Sequence, residues 1–201
     1  MLPRARGTWQ KRRMELLSET PAGWVRLAVE RFDEVVVDHA HCEKKAAAQA
    51  LSMLAAFPDV PGLPRAMARL AREEAGHLSQ VLRVLEERGL LLGPDRGDPY
   101  AQALQRCVRH PRAERLLDRL LVSALIEMRS RERLALLAQH LGDPELREMY
   151  ARMAGAEAGH GELFCKLAVK VAREEAPQRF AELAAEEARL VRTMPLRAAI
   201  H

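Results

Sequence analysis

Apolar residues recur every three to four positions through most of the chain, and no stretch alternates with the two-residue period of a strand. The pattern predicts an all-α fold. Turn residues divide it. Thr20-Pro21 reads as an N-cap followed by proline in the first turn, opening a helix over 21–57. Pro58-Asp59-Val60-Pro61-Gly62 is a strong break. A second helix is expected over 63–88, with Gly89 as its stop. Gly93-Pro94-Asp95-Arg96-Gly97 is a loop, and Asp98-Pro99 starts a short helix over 99–109. Pro111 opens a long helix to 141. Gly142-Asp143-Pro144 combines a stop, a cap and a restart for a helix to 175. A last helix follows Pro177, to 192. The tail, 193–201, shows no pattern and is expected to be loosely held.

Four long helices, paired by a short turn within each half, predict an up-down bundle with a longer middle connection. The expected architecture is a ferritin-like four-helix bundle with additional short helices. One domain would span 1–201, with a bundle core over 21–175 and a C-terminal helix over 177–192.

The halves also resemble each other chemically. Glu-Ala-Gly-His occurs at Glu74 to His77 and again at Glu157 to His160. On a helix, positions i and i+3 share a face, so each copy offers a carboxylate and an imidazole to one metal ion. Chance alone gives roughly one Glu-x-x-His match in a chain of this composition. Specificity comes from an upstream glutamate in each half. Glu43 lies 14 residues before Phe57 and Glu74 lies 11 after Leu63. At about 1.5 Å per residue both carboxylates reach similar heights above the turn. In the second half, Glu127 lies 14 residues before Leu141 and Glu157 lies 13 after Pro144. Glu132, the rival to Glu127, lies only 9 residues before Leu141, too close to the turn.

Glu43 and Glu127 also lie on apolar stripes, where an unpaired carboxylate is costly and a metal ion removes that cost. The candidate ligands are therefore Glu43, Glu74, His77, Glu127, Glu157 and His160, the supply of a carboxylate-bridged dinuclear site. Hard oxygen donors with two nitrogens suit iron or manganese. Glu73 points about 100° away from Glu74 and reads as a solvated surface charge. His39, one turn before Glu43, reads first as a partly buried structural histidine, with support of the Glu43 ligand as the alternative. His110, His140 and His201 read as exposed. Cys42 and Cys165 read as space-filling, and Tyr100 and Tyr150 show no partner. Ala46, Ala47 and Ala124 read as sites of close helix packing that could also leave room for O2 and a substrate group.

Charge and cysteine content change the picture little. The chain of 201 residues has a net charge of +4, with arginine far outnumbering lysine. Arginine pairs well with phosphate, but a GC-rich genome also enriches it, so charge alone identifies no partner. Three cysteines form no C-x-x-C pair and read as free thiols of a reducing cytosol. No apolar run approaches the roughly 20 residues of a membrane span. The basic start, 1–17, lacks the apolar core of a signal peptide. A cytoplasmic protein without a membrane partner is expected.

Several stretches resemble signatures of one family. They are Asp38-His39-Ala40-His41-Cys42-Glu43-Lys44-Lys45-Ala46-Ala47, Leu70-Ala71-Arg72-Glu73-Glu74-Ala75-Gly76-His77 with Gln80-Val81-Leu82, and Leu125-Ile126-Glu127-Met128-Arg129-Ser130-Arg131-Glu132-Arg133. The segment around Glu157 and His160 is the fourth. Together they are similar to the tRNA 2-methylthio-N6-isopentenyladenosine hydroxylases, from about Trp24 to Arg189. The chain departs from that pattern at Arg131, at Leu134 and in the tail from Leu196 to His201.

The resemblance implies a ferritin-like, non-haem di-iron monooxygenase with the six residues above as iron ligands. Its substrate would be the prenylated adenosine next to the tRNA anticodon. O2 would be the cosubstrate, and a reductase would donate electrons. The expected form is a monomer or dimer holding two iron ions. Two other classes stay open: a ferritin-like iron oxidation or storage protein, or an oxidase of another small substrate, and a metal-free helical RNA-binding module.

Overall fold

Proline and glycine cut the chain largely where the sequence suggests. The computed structural model describes residues 14–201, so most of the basic start, 1–17, lies outside the described residues. Among the described residues there are seven helices and no strand: α1 (Gly23–Glu30), α2 (Phe32–Ala56), α3 (Leu63–Glu87), α4 (Pro99–Gln105), α5 (Arg112–His140), α6 (Pro144–Val171) and α7 (Ala176–Thr193). α2 packs along α3, and α5 along α6. These two hairpins form a four-helix bundle of the ferritin-like kind. α7 covers α5, and α1 lies against α5. No helix of the described residues is long and apolar enough to cross a membrane.

Helix starts follow local chemistry. Asp143 Oδ1 accepts the N–H groups of Glu145 and Leu146 at 2.8 and 3.2 Å, satisfying donors that the first turn of α6 leaves free. Asp98 does the same for Ala101 of α4, at 2.9 Å. Gly62 turns the chain between α2 and α3 at φ 84°, where a side chain would be strained.

Two apolar clusters fill the interior. One gathers Met53, Phe57, Leu63, Leu120 and Phe164 with their neighbours. The other gathers Trp24, Val36, Val84, Leu137 and Tyr150 with theirs. On every bundle helix the two clusters are separated by the stretch that carries Glu43, Glu74 and His77, Glu127, or Glu157 and His160. The predicted matching of heights thus places one polar layer across an otherwise apolar bundle.

Four expectations are corrected. The first long helix is broken at Arg31, whose φ of −117° and ψ of 41° leave the helical region. The break frees α1 to lay Trp24 and Ala28 into the interior against α5, while α2 continues along α3. No glycine or proline marks it. Thr20 caps no helix: its hydroxyl donates to Glu132 Oε2 at 2.6 Å, and its N–H donates to Oε1 at 3.0 Å. α4 ends at Gln105 and α6 at Val171, short of their expected limits. Beyond α4, the N–H of Arg109 leaves the helical ladder for Asp118 Oδ2 at 3.0 Å.

The tail is not loose. Ala198, Ala199, Ile200 and His201 are buried. Their backbone is tied down by side chains of three helices: Trp24 Nε1 donates to Ala199 O at 3.0 Å, Arg133 Nη1 to Ile200 O at 3.0 Å, and Ile200 N to Asp38 Oδ2 at 2.7 Å. Such a segment is ordered without periodicity, which is why the pattern misses it.

Buried ion pairs join the outer helices to the bundle. Arg129 and Glu187 pair at 2.8 Å with both side chains fully enclosed, and Tyr100 donates to the same Glu187 oxygen at 2.9 Å. Asp118 receives Nε and Nη2 of both Arg109 and Arg179, at 2.7–2.9 Å. Burial would raise its pKa, but these hydrogen bonds outweigh burial and hold it at about 2. A carboxyl lowered on folding stabilises above its unfolded pKa of roughly 3.9, and that contribution fades as pH falls through the folded value. Asp118→Asn should therefore cost about 2–4 kcal/mol near pH 7, since two guanidiniums lose their counter-charge. In urea titrations the gap to the unsubstituted protein should shrink as pH drops from roughly 4 to about 2. A pH-independent gap would show that the pair acts through packing alone.

Candidate metal centre

All six predicted residues converge in the polar layer, none more than 9% exposed. Donor atoms of Glu43, Glu74, His77 and Glu157 lie within 4.8 Å of one another, as do those of Glu74, Glu127, Glu157 and His160. The two groups share Glu74 and Glu157. Two metal positions would fit this arrangement, with Glu74 and Glu157 available to both and a further glutamate and histidine available to each.

His77 Nδ1 lies 3.3 Å from Glu74 Oε2, 3.4 Å from Glu43 Oε2 and 3.7 Å from Glu157 Oε1. His160 Nδ1 lies 2.9 Å from Glu74 Oε1 and 3.3 Å from Glu157 Oε2. The rings face one another with centroids 5.7 Å apart. Each imidazole therefore turns Nδ1 inward, and the i, i+3 spacing that put Glu and His on one face is the reason.

The charges are strained as they stand. Burial pushes the Glu127 carboxyl well up, helped by the Glu157 carboxylate beside it. Burial likewise raises Glu74, although both histidines oppose it. For Glu43 burial also acts upward, but hydrogen bonds from His39 and His77 override it and hold this carboxyl far below the usual range. Burial disfavours the charged imidazoles, yet bonds to Glu43 and Glu74 lift His77 to about 10, and bonds to Glu157 and Glu74 lift His160 to about 10. Glu43 Oε2 is buried with no well-aligned hydrogen bond, its nearest cationic partner being His77 Nδ1 at 3.4 Å. Four carboxylates with two imidazoles fit two divalent ions, whose charge would balance the carboxylates and occupy the free lone pairs.

The surroundings depart from expectation in three places. His39 takes the supporting alternative rather than the merely structural one: its Nε2 bonds Glu43 Oε1 at 2.7 Å, and its ring stacks on Tyr150 at 5.5 Å. Glu73 is not simply solvated, because its Oε2 lies 3.2 Å from His160 Nε2, on the outer side of that ring. His201 is buried rather than exposed; its Nδ1 bonds Asp98 at 2.9 Å and its Nε2 bonds Ser130 Oγ at 2.7 Å. Sequence reading missed this last cluster, which Cys42 joins with Sγ 3.7 Å from His201 Nδ1. Asp98 was legible only as a cap. Glu132 stays outside the layer, bound to Thr20 and Arg129, as its height foretold. His110 and His140 are exposed as expected.

A cavity of about 780 Å³ opens beside the layer between α2, α4 and α5. Glu43, Glu74, Glu127 and Glu157 form its inner end, and Ala46, Ala101, Ile126 and Phe164 supply apolar wall. His201, Asp98 and Ser130 close one side. At its outer part lie Gln102, Gln105, Arg106 and Ser52, all exposed.

Fold and site together define a helical-bundle protein whose carboxylate–imidazole layer fits a dinuclear, di-iron type of centre. Comparison with known proteins narrows the class. The chain matches the family model "tRNA-(MS[2]IO[6]A)-hydroxylase (MiaE)" over residues 8–201 and belongs to that family. A relative from Pseudomonas putida, a tRNA 2-(methylsulfanyl)-N(6)-isopentenyladenosine(37) hydroxylase, is 42% identical over 149 residues, covering 74% of this chain and 72% of the relative. A hydroxylase of the same name from Salmonella typhimurium is 32% identical over 125 residues, 62% of this chain and 46% of that one. Among solved structures, "Protein 43 with aldehyde deformylating oxygenase activity from Synechococcus" is similar at a TM-score of 0.87 and 39% identity, over 92% of this chain and 94% of its own.

Glu127 sits in the layer at an energetic cost, so its removal should stabilise the metal-free fold. Glu127→Met keeps volume and removes a buried ionisable group, a change often worth about 1–4 kcal/mol. The thermal midpoint of the metal-free variant should rise above that of the metal-free parent. A fall would show that Glu127 holds the bundle together.

Proposed function

We propose that this chain hydroxylates the isopentenyl group of 2-methylthio-N6-isopentenyladenosine next to the anticodon of tRNA, using two iron ions held by Glu43, Glu74, His77, Glu127, Glu157 and His160. The observation that carries the reading is the shared pair Glu74 and Glu157 at the inner end of a cavity with an apolar wall, in a chain of this family. Two bound iron ions would supply the reduction of O2, one oxygen atom entering the prenyl C–H bond and the other leaving as water, with two electrons from an external reductase.

The protein's own groups account for the rest. The six side chains approach from four helices, so the centre is positioned by packing rather than by loops. His39 fixes one Glu43 oxygen and leaves the other, Oε2, facing His77 in the layer. Ala46, Ala101, Ile126 and Phe164 exclude water from the place where a prenyl chain would lie. Gln49 Nε2, in the same cavity, is buried without a hydrogen-bond partner and supplies a donor for a nucleobase edge. The same reading treats 1–201 as one domain acting in the cytoplasm on tRNA.

A second reading, oxidation of another small substrate at the same centre, is favoured by the neighbour whose name records aldehyde deformylating oxygenase activity. Two experiments separate these. Nucleosides from tRNA of cells lacking the gene should lose the hydroxylated prenyl-adenosine; an unchanged level would sink the substrate assignment, and aldehyde turnover by the iron-loaded protein would favour the second reading. Anaerobic ferrous reconstitution should give two irons per chain in the parent and in Glu132→Ala, but markedly fewer in Glu127→Ala. The reverse order would show that the wrong upstream glutamate was chosen.

A further inference from the structure

Three arginines on one face of α5, Arg112, Arg115 and Arg119, place their guanidiniums over the single ring of Phe57, at 5.3, 5.8 and 6.0 Å from its centroid. Their i, i+3, i+7 spacing puts them in one row. Of the three, Arg112 alone has a counter-charge among the described residues, Asp59. Among the described residues no carboxylate lies within ion-pair distance of Arg115 or Arg119. Arg119 is half-buried, and its one hydrogen bond goes to Ser52 Oγ at 3.2 Å. Burial and the repulsion of Arg115 both lower its pKa. Two like charges held together without an anion are an unfavourable arrangement unless something outside the chain supplies one.

The place matters as much as the charge. Ser52 and Arg106 are both exposed residues lining the cavity that leads to the carboxylate layer. Arg106 too has no carboxylate partner among the described residues. Arg106, Arg115 and Arg119 therefore lie at or beside the mouth, linked to it through Ser52. A nucleoside in the cavity has its sugar at that mouth, and its flanking phosphates must lie on the surface beside it. Guanidinium forks match phosphate oxygens in geometry as well as sign.

We propose that Arg106, Arg115 and Arg119 form the phosphate-binding rim of this protein, holding the RNA backbone on either side of the nucleotide whose base enters the cavity. The proposal rests on the reading of the cavity as the seat of a tRNA nucleoside. An acidic electron-donor protein is the rival occupant. The mouth favours RNA, because a donor seated there would block the path of the substrate.

The test uses the iron-loaded protein with Arg115→Gln/Arg119→Gln, Arg106→Gln and, as a control on α1, Arg26→Gln. Iron content and circular dichroism check that each is folded and loaded. Binding of an anticodon stem-loop RNA is followed by fluorescence anisotropy across salt concentration. Turnover is compared on prenylated tRNA and on the free prenylated nucleoside, which carries no phosphate. The double variant should bind the stem-loop at least ~10-fold more weakly, and its salt dependence should flatten by about one to two phosphate contacts. kcat/KM should fall on tRNA and stay unchanged on the nucleoside, and Arg26→Gln should match the parent.

Unchanged stem-loop affinity and salt slope would overturn the proposal. So would an equal loss on the free nucleoside, which would place these residues in the chemistry of the site. Normal RNA binding with a rate loss seen only with a protein electron donor would assign the rim to that donor. A parent that binds stem-loop through these arginines yet turns over neither substrate would overturn the hydroxylase reading and leave the rim standing.

Discussion

Four carboxylates and two imidazoles occupy one buried level of the bundle, and their electrostatics constrain the rest of the interior. An apolar core of this length would be more stable without them. Instead the core is divided, with one apolar cluster on each side. The two clusters hold the helices in register, and register decides whether the donors meet. A shift of one residue along any helix would turn its glutamate by about 100° away from the others. The long, closely packed hairpins α2/α3 and α5/α6 are thus the means by which six distant positions in sequence become one site.

Many of the remaining polar groups of the interior have a different character, because they pair within the chain. Arg129 and Tyr100 share one Glu187 oxygen where α5 meets α4 and α7. Asp118 binds two guanidiniums at the far end of α5. The final residues carry their backbone groups to Trp24, Arg133 and Asp38. Against that background the raised carboxyl of Glu127, crowded by three other carboxylates, stands apart. Four carboxylates converging at one buried level, one of them pushed up by burial and its neighbours, mark where an external positive charge belongs.

Much of this was legible in the sequence because it depends on local rules. Asp143-Pro144 and Asp98-Pro99 announced helix starts through backbone chemistry that any neighbour would leave intact. Glu127 could be chosen over Glu132 from rise per residue alone. What escaped depends on tertiary partners. Thr20 looked like a cap until Glu132 and Arg129 took its hydroxyl. Arg31 breaks a helix without glycine or proline, because α1 must reach α5. Glu73 and His39 were misjudged because the helix that bears a side chain says nothing of which ring from another level, or which turn of its own, will meet it. His201 sits in a segment whose order comes wholly from side chains of other elements.

The sequence repeat suggests a two-fold relation between the hairpins, with Glu43 matched to Glu127, and the two donor groups that share Glu74 and Glu157 repeat it. Their surroundings do not. One turn before Glu43 stands His39, which donates to it; one turn before Glu127 stands Ser123, and no imidazole takes that place. Glu43 is held ionised while Glu127 is driven toward its neutral form. The two halves of the centre are related in space but not interchangeable, so a ligand arriving between them meets a polarised pair rather than a mirror.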